Sequence, residues 1–212
     1  MIVEFAGIPK SGKTSAIDSA RDYFTRKGRP VVVSPESTRA CPFSSRMRFE
    51  FACWTASRVV NEVIGWSASQ SDNSLMLQDR GIFDAMAFLQ LCALEQAENL
   101  SLERRSHLEV EPVRLNFWLA EIDILFLFKA KPEVVLSRDI AYQLGAGTGL
   151  ITNPLTIDRL LQCYDQVLEY AHPRIRNVVI LDTSEKSPMA AARIVCETIE
   201  HELALSDGKR CS

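Results

Sequence analysis

The sequence predicts one α/β domain, a five-stranded parallel sheet between helix layers, and three observations carry that expectation. Short apolar runs alternate with longer segments of helical periodicity, the pattern of βαβ units. The short runs are apolar on both faces, as strands covered by helices on either side must be. The chain has 212 residues, 47% of them hydrophobic, enough for one substantial core and too few for two comfortable ones.

The strands are expected at Ile2 to Ala6, Pro30 to Ser34, Ser74 to Gln78, Ile122 to Phe128 and Asn177 to Leu181. Each is rich in Val, Ile, Leu or Phe. Helices are expected at about Lys13 to Lys27, Ser45 to Trp66, Phe83 to Glu98, Ser101 to Ala120, Pro132 to Gln143, Pro154 to Tyr170 and Ser187 to Leu205. Pro132, Pro154 and Pro188 mark helix starts, where a missing N–H costs nothing. There is no internal repeat, and the tail from Ser206 to Ser212 reads as frayed.

Composition excludes several classes. A formal charge of -3, with both signs spread along the chain, gives no basic field for polymeric nucleic acid. No apolar stretch approaches the roughly 20 residues of a membrane span. Met1 runs straight into Ile2-Val3-Glu4-Phe5-Ala6, which leaves no room for a cleaved leader. Six cysteines without a C-x-x-C pair, and three scattered histidines, read as free thiols in a reducing, cytoplasmic compartment rather than a structural zinc site.

Directly after the first strand comes Gly7-Ile8-Pro9-Lys10-Ser11-Gly12-Lys13-Thr14, followed by Ser15 in a helical pattern. This is a full G-x-x-x-x-G-K-[ST] match in the order strand, loop, helix. The glycines let the backbone curl so that successive N–H groups meet phosphate oxygens, and the helix N-terminus adds to that field. Lys13 is expected to reach the β- and γ-phosphates of ATP, and the Thr14 hydroxyl to ligate Mg²⁺. Lys10 reads as a solvated charge. The fold expected is therefore the three-layer P-loop NTPase fold.

A carboxylate is needed beside Thr14, and Leu75-Met76-Leu77-Gln78-Asp79-Arg80-Gly81 supplies Asp79 at a strand end. In an open parallel sheet ligands gather at the carboxyl ends of strands, so Asp79 and the loop from Gly7 converge. Asp79 could instead cap the helix that follows. Arg80 could grip a phosphate with its planar fork, or pair with Asp84 on the surface. The second strand ends in Val33-Ser34-Pro35-Glu36, which puts Glu36 at the same rim, where it can accept a proton from an attacking hydroxyl.

These residues resemble the branch of P-loop kinases that includes deoxynucleoside, thymidylate and nicotinamide-riboside kinases, and the resemblance spans nearly the whole chain. It rests on the loop at Gly7 to Thr14, on Glu36 and the Asp79-Arg80 pair, and on Lys131-Pro132-Glu133-Val134-Val135-Leu136-Ser137-Arg138. The resemblance implies that Glu36 acts as base or orients the acceptor, that Arg80 contacts phosphates, and that Arg138 stands at the start of a lid segment, at about residues 138–153, from which it would join Arg80 in neutralising charge on the transferred phosphoryl group. One departure stands out. Family lids carry two or more arginines, whereas here no arginine follows Arg138 until Arg159, and Gly145, Gly147 and Gly149 intervene.

For the acceptor, Phe43, Arg46, Arg48, Phe49, Trp54 and Arg58 lie on or before the second helix, which in the family lines that pocket. Aromatics could stack a planar base and arginines could bind an acceptor phosphate; packing in the core is the plainer use of such a stripe. The expected activity is transfer of the γ-phosphoryl group of ATP to a small molecule, a nucleoside or nucleotide. A switch NTPase, a shikimate- or gluconate-type kinase and a nucleotide sensor are the alternatives. Phe128-Lys129-Ala130-Lys131 lacks the [NT]-K-x-D element of a GTPase. The apolar Phe83, Ala87, Phe88 and Leu91 offer a homodimer face.

Overall fold

The computed structural model describes residues 1–36, 40–43, 48–69, 74–96, 98–143 and 154–210, with the backbone alone for 69, 140–143 and 207–210. Along the chain the elements are β1 (Ile2–Gly7), α1 (Lys13–Arg26), β2 (Val31–Ser34), α2 (Phe49–Ser69), β3 (Leu75–Asp79), α3 (Ile82–Glu95), α4 (Leu102–Leu115), β4 (Ile124–Lys129), α5 (Pro132–Gln143), α6 (Pro154–Ala171), β5 (Asn177–Asp182) and α7 (Pro188–Arg210). The five strands form one parallel sheet in the order β2-β3-β1-β4-β5. β1 is central. The chain leaves it toward β2 and β3 on one side, then crosses to β4 and β5 on the other, which opens a crevice at its carboxyl end.

Side chains alternate across the sheet with period two. On one face Ile2, Ala6, Met76, Leu125 and Leu127 pack beneath α2, α3, α4 and α6, in a cluster that includes Val59, Val63, Phe83, Met86, Leu160 and Tyr164. On the other, Val3, Phe5, Leu75, Leu77, Phe126 and Phe128 pack beneath α1 and α7, against Ile17, Phe24, Val195 and Ile199. The Phe5 and Phe126 rings stack with centroids 5.4 Å apart, tying β1 to β4 on this second face. Both clusters need the strands apolar on both sides, so the continuous apolar runs were the informative signal.

The interior of β1 holds one charged residue, Glu4, buried in register with Gln78 of β3. Its carboxylate accepts hydrogen bonds from the backbone N–H groups of Gly81 (3.0 Å), Phe83 (3.1 Å) and Asp84 (2.9 Å). The first turn of α3 is thus capped by a side chain from another strand, and its N-cap position, Gly81, contributes no side-chain bond. A Cβ on Gly81 would lie 2.3 Å from the Gln78 side-chain oxygen and 2.7 Å from the Glu4 carboxylate, so no larger residue fits. Asp79, weighed above as a cap for this helix, does not serve as one.

Three expectations are corrected. Helix α4 ends at Leu115 and passes into a 3₁₀ turn over Asn116–Glu121 rather than continuing to Ala120 as one helix. Pro112 in its last turn removes a backbone donor there, and the tighter winding brings Leu119 into the core. The tail is helical through Arg210. Phe83, Ala87 and Leu91 are fully buried within the protomer, on the helix that packs against α2, α4 and α6, so they offer no dimer surface. Among the described residues no helix is long and apolar enough to cross a membrane.

Candidate active site at the carboxyl edge of the sheet

The loop after β1 is shaped first by the sheet. Gly7 has φ 133°, and a Cβ there would lie 2.0 Å from the Phe128 carbonyl oxygen of β4. The first glycine of the motif is therefore required by strand contact as well as by any phosphate. Gly12 (φ 95°) has open space around it and is demanded by its backbone angle alone. It precedes α1 without a side-chain cap, which leaves first-turn amides of the kind an anion satisfies.

Lys13 is buried within this loop. Its ammonium donates to the carbonyls of Gly7 and Ile8, both at 2.8 Å, and lies 3.5 Å from Ser11 Oγ. Ser11 Oγ in turn donates to the Ile8 carbonyl at 2.7 Å. Burial, and then repulsion from Arg80, lower the Lys13 pKa to about 7. Thr14 and Ser15 are exposed at the start of α1, and Pro9 is half-buried. The Thr14 hydroxyl lies 3.5 Å from Asp79 Oδ2.

The outer side of the loop is braced. Arg138 of α5 donates from NH1 to the Lys10 carbonyl (3.0 Å) and from NH2 to the Thr183 carbonyl (2.7 Å). The Thr183 hydroxyl donates to the Ser11 carbonyl at 2.8 Å. Lys10, at φ 60°, pairs with buried Asp139 at 3.5 Å, so it is not the solvated charge expected from sequence. Arg138 thus holds the backbone of the loop in place. The glycines at 145, 147 and 149 lie outside the described residues.

Across the crevice Arg80, also at positive φ (66°), lies buried between two carboxylates. Its Nε is 3.0 Å from Glu36 Oε1, and its NH1 is 2.9 and 3.1 Å from the two oxygens of Asp84. Burial opposes the charge, but Asp84 and Glu36 outweigh it and raise the Arg80 pKa. Asp84 also accepts from the Gly7 amide (3.2 Å) and from the Tyr164 hydroxyl (2.6 Å). One carboxylate therefore joins the start of the phosphate loop, Arg80 and helix α6. Asp79 has a raised pKa because burial outweighs the attraction of Lys13 and Arg80.

One face of α2, tied to β2 and β3 through Glu62, carries Trp54, Arg58 and Glu62 at helical spacing. The Arg58 guanidinium lies over the Trp54 ring at 5.5 Å and bonds Glu62 at 2.9 Å. Glu62 accepts from Ser34 Oγ at 2.5 Å and from the Gln78 side-chain amide at 3.5 Å. Arg48 is exposed before α2, while Arg46 lies outside the described residues.

The geometry therefore brings together Lys13, Thr14, Asp79, Glu36 and Arg80, whereas Arg58 and Trp54 connect to the sheet through Glu62. Arg80 does pair with Asp84, as one of its two expected uses, but the pair is buried rather than on the surface. Glu4 and Tyr164 are participants the sequence did not single out. Glu4 was visible as the lone charge in an apolar strand run. Tyr164 carries no local signal, because only the packing of α6 on α3 delivers it.

A solved structure of thymidylate kinase from Candida albicans, described as revealing the origin of its broad substrate specificity, superposes over 94% of this chain and 91% of its own, with a TM-score of 0.59 and 14% identity. The fold is the P-loop α/β kinase fold. No protein-family model matches the chain, and no curated protein matches it either. The similarity is thus one of architecture, and the chemistry has to be argued from the residues above.

Proposed function

We propose that the protein is an ATP-dependent phosphotransferase whose acceptor is a nucleoside or nucleotide. The observation that carries this reading is the facing of two half-sites across one crevice: a phosphate loop with Lys13 and Thr14, and an acid–arginine cluster of Glu36, Arg80 and Asp84, with Asp79 between them. A kinase needs the second as well, to position and deprotonate an acceptor. The neighbouring structure is, by name, a thymidylate kinase.

In this reading Lys13 exchanges its two loop carbonyls for the β- and γ-phosphate oxygens of ATP, and the first-turn amides of α1 hold the rest of the chain. Thr14 and Asp79 supply a hydroxyl and a carboxylate 3.5 Å apart. Two hard oxygen ligands suit Mg²⁺, which keeps several waters and phosphate oxygens of its own. When bound there, Mg²⁺ would neutralise charge on the terminal phosphates. Glu36 stands where it can take the proton of an acceptor hydroxyl, and Arg80 faces the charge that develops in transfer. Asp84 holds Arg80, and Glu4 holds the first turn of α3 from which Asp84 projects.

The reading is tested by incubating the protein with MgATP and a panel of nucleosides, nucleoside monophosphates and sugars. ADP release that depends on one acceptor class is expected. Slow ADP release indifferent to every acceptor would assign the chain to the switch NTPases instead.

A further inference from the structure

We infer that, whatever the crevice transfers, a second copy of the chain docks on the outer face of α4 in an antiparallel, two-fold arrangement. Helix α4 and the 3₁₀ turn after it carry two apolar strips. Leu108, Leu115 and Leu119 are buried and fix the helix to its own protomer. Leu102, Val110, Val113 and Phe117 form the other strip, and they are 79%, 55%, 71% and 69% exposed. At 3.6 residues per turn Leu102, Ser106, Val110 and Val113 fall within about 80° of one another, and their steps of three and four residues are those of an interhelical seam. Phe117, edge-on to Trp118 at 5.4 Å, extends the strip into the 3₁₀ turn.

A solvated helix face is ordinarily polar. Weighted by these exposures the strip offers roughly 450 Å² per copy, as large as the main apolar patch of an ordinary monomer and about half of what each partner gives a standard interface. A membrane surface does not suit it, because three arginines and three glutamates are interspersed along Leu102–Leu115 and leave no cationic face.

Charge selects a copy of the same helix. A two-fold axis near the middle of the strip seats Leu102 of one protomer against Val113 of its partner, and Val110 over Ser106, each contact occurring twice. On one flank this register sets Glu103 opposite Arg114. On the other it sets Arg105 opposite Glu109. Arg114 is 71% exposed and makes only a 3.4 Å contact with Glu111 of its own helix, a surface pair of little strength. The remaining charges of α4 face the protomer's own α2 side, where Arg104 pairs with Glu50 and His107 lies against Phe49 and Glu111. Opposite charges therefore meet along both edges of an apolar seam.

The test is sedimentation velocity of the full chain across the micromolar range. Wild type is expected to sediment as a dimer, at twice 23.8 kDa. Val110→Glu, which brings two carboxylates into the seam, is expected to sediment as a monomer with an unchanged circular dichroism spectrum. Glu103→Arg and Arg114→Glu should each weaken the dimer by about tenfold, the scale of two exposed ion pairs. Combining the two reversals should restore it, which a loss of fold could not do. A wild type that stays monomeric would overturn the inference and leave the strip to a different protein. A dimer that Val110→Glu and both single reversals leave intact would also overturn it, since another face would then hold the copies together.

Discussion

Nucleotide binding should take up a proton at mildly alkaline pH, and the size of the uptake follows from the position of Lys13. With the loop free of phosphate, burial and Arg80 lower the Lys13 pKa to about 7, and its ammonium is held by two uncharged carbonyls. A polyphosphate replaces those carbonyls with anionic oxygens and restores the charged form. The fraction of Lys13 that is neutral before binding therefore sets the uptake. A pKa of about 7 gives about 0.9 proton at pH 8, about 0.5 at pH 7 and about 0.1 at pH 6. The assay is calorimetric titration with ADP in buffers of different ionisation enthalpy, run with EDTA so that metal binding at Asp79 does not contribute. Lys13→Ala should abolish the uptake. Binding to wild type with no proton change at pH 8, or with proton release, would refute the picture of a lysine sheltered by its own loop.

Gly7→Ala should prevent correct pairing of β1 with β4, since its Cβ would sit 2.0 Å from the Phe128 carbonyl oxygen; a loss of more than about 3 kcal/mol in denaturant unfolding is expected from the combined clash and positive φ. Tyr164→Phe removes one hydrogen bond to the buried Asp84 carboxylate, with an expected cost of about 1.5–3 kcal/mol. It should lower kcat for the acceptor while leaving the calorimetric affinity for ATP unchanged. Glu4 has a folded pKa raised by burial to about 7, above its ordinary 4.5. Its contribution is therefore fully present below about 4.5 and lost as pH rises through 7. The stability of wild type relative to Glu4→Gln should fall by about 3 kcal/mol between pH 4.5 and 8, followed by urea unfolding at each pH. A constant difference would mean that Glu4 does not titrate there.

Much of this arrangement was legible in the sequence, for identifiable reasons. The strands showed because a parallel sheet covered on both faces needs unbroken apolar runs, and β1, β3 and β4 have them apart from Glu4, Gln78 and the strand-end Asp79 and Lys129. The phosphate loop showed because its glycines, Lys13 and Thr14 are contiguous. Glu36 and Asp79 could be placed from strand ends alone, since parallel topology delivers every strand's carboxyl end to one edge. What sequence could not supply was partnership. The pairing of Arg80 with both Glu36 and Asp84 depends on a positive φ at Arg80 and on the space left by Gly81. The bracing of Lys10 and Ser11 by Arg138 and Thr183 joins residues from loops far apart in the chain. The apolar stripe on α3 suggested a dimer face because periodicity reports that a face is buried and not what covers it; here α2, α4 and α6 do.

The central claim, that the crevice transfers phosphate to an acceptor and not to water, is tested most directly by turnover in ¹⁸O-labelled water with MgATP and the acceptor panel, read by mass spectrometry. The account predicts a phosphorylated acceptor whose phosphoryl oxygens carry no label from water, formed in step with ADP. Labelled inorganic phosphate as the product, with no phosphorylated acceptor from any class, would contradict it.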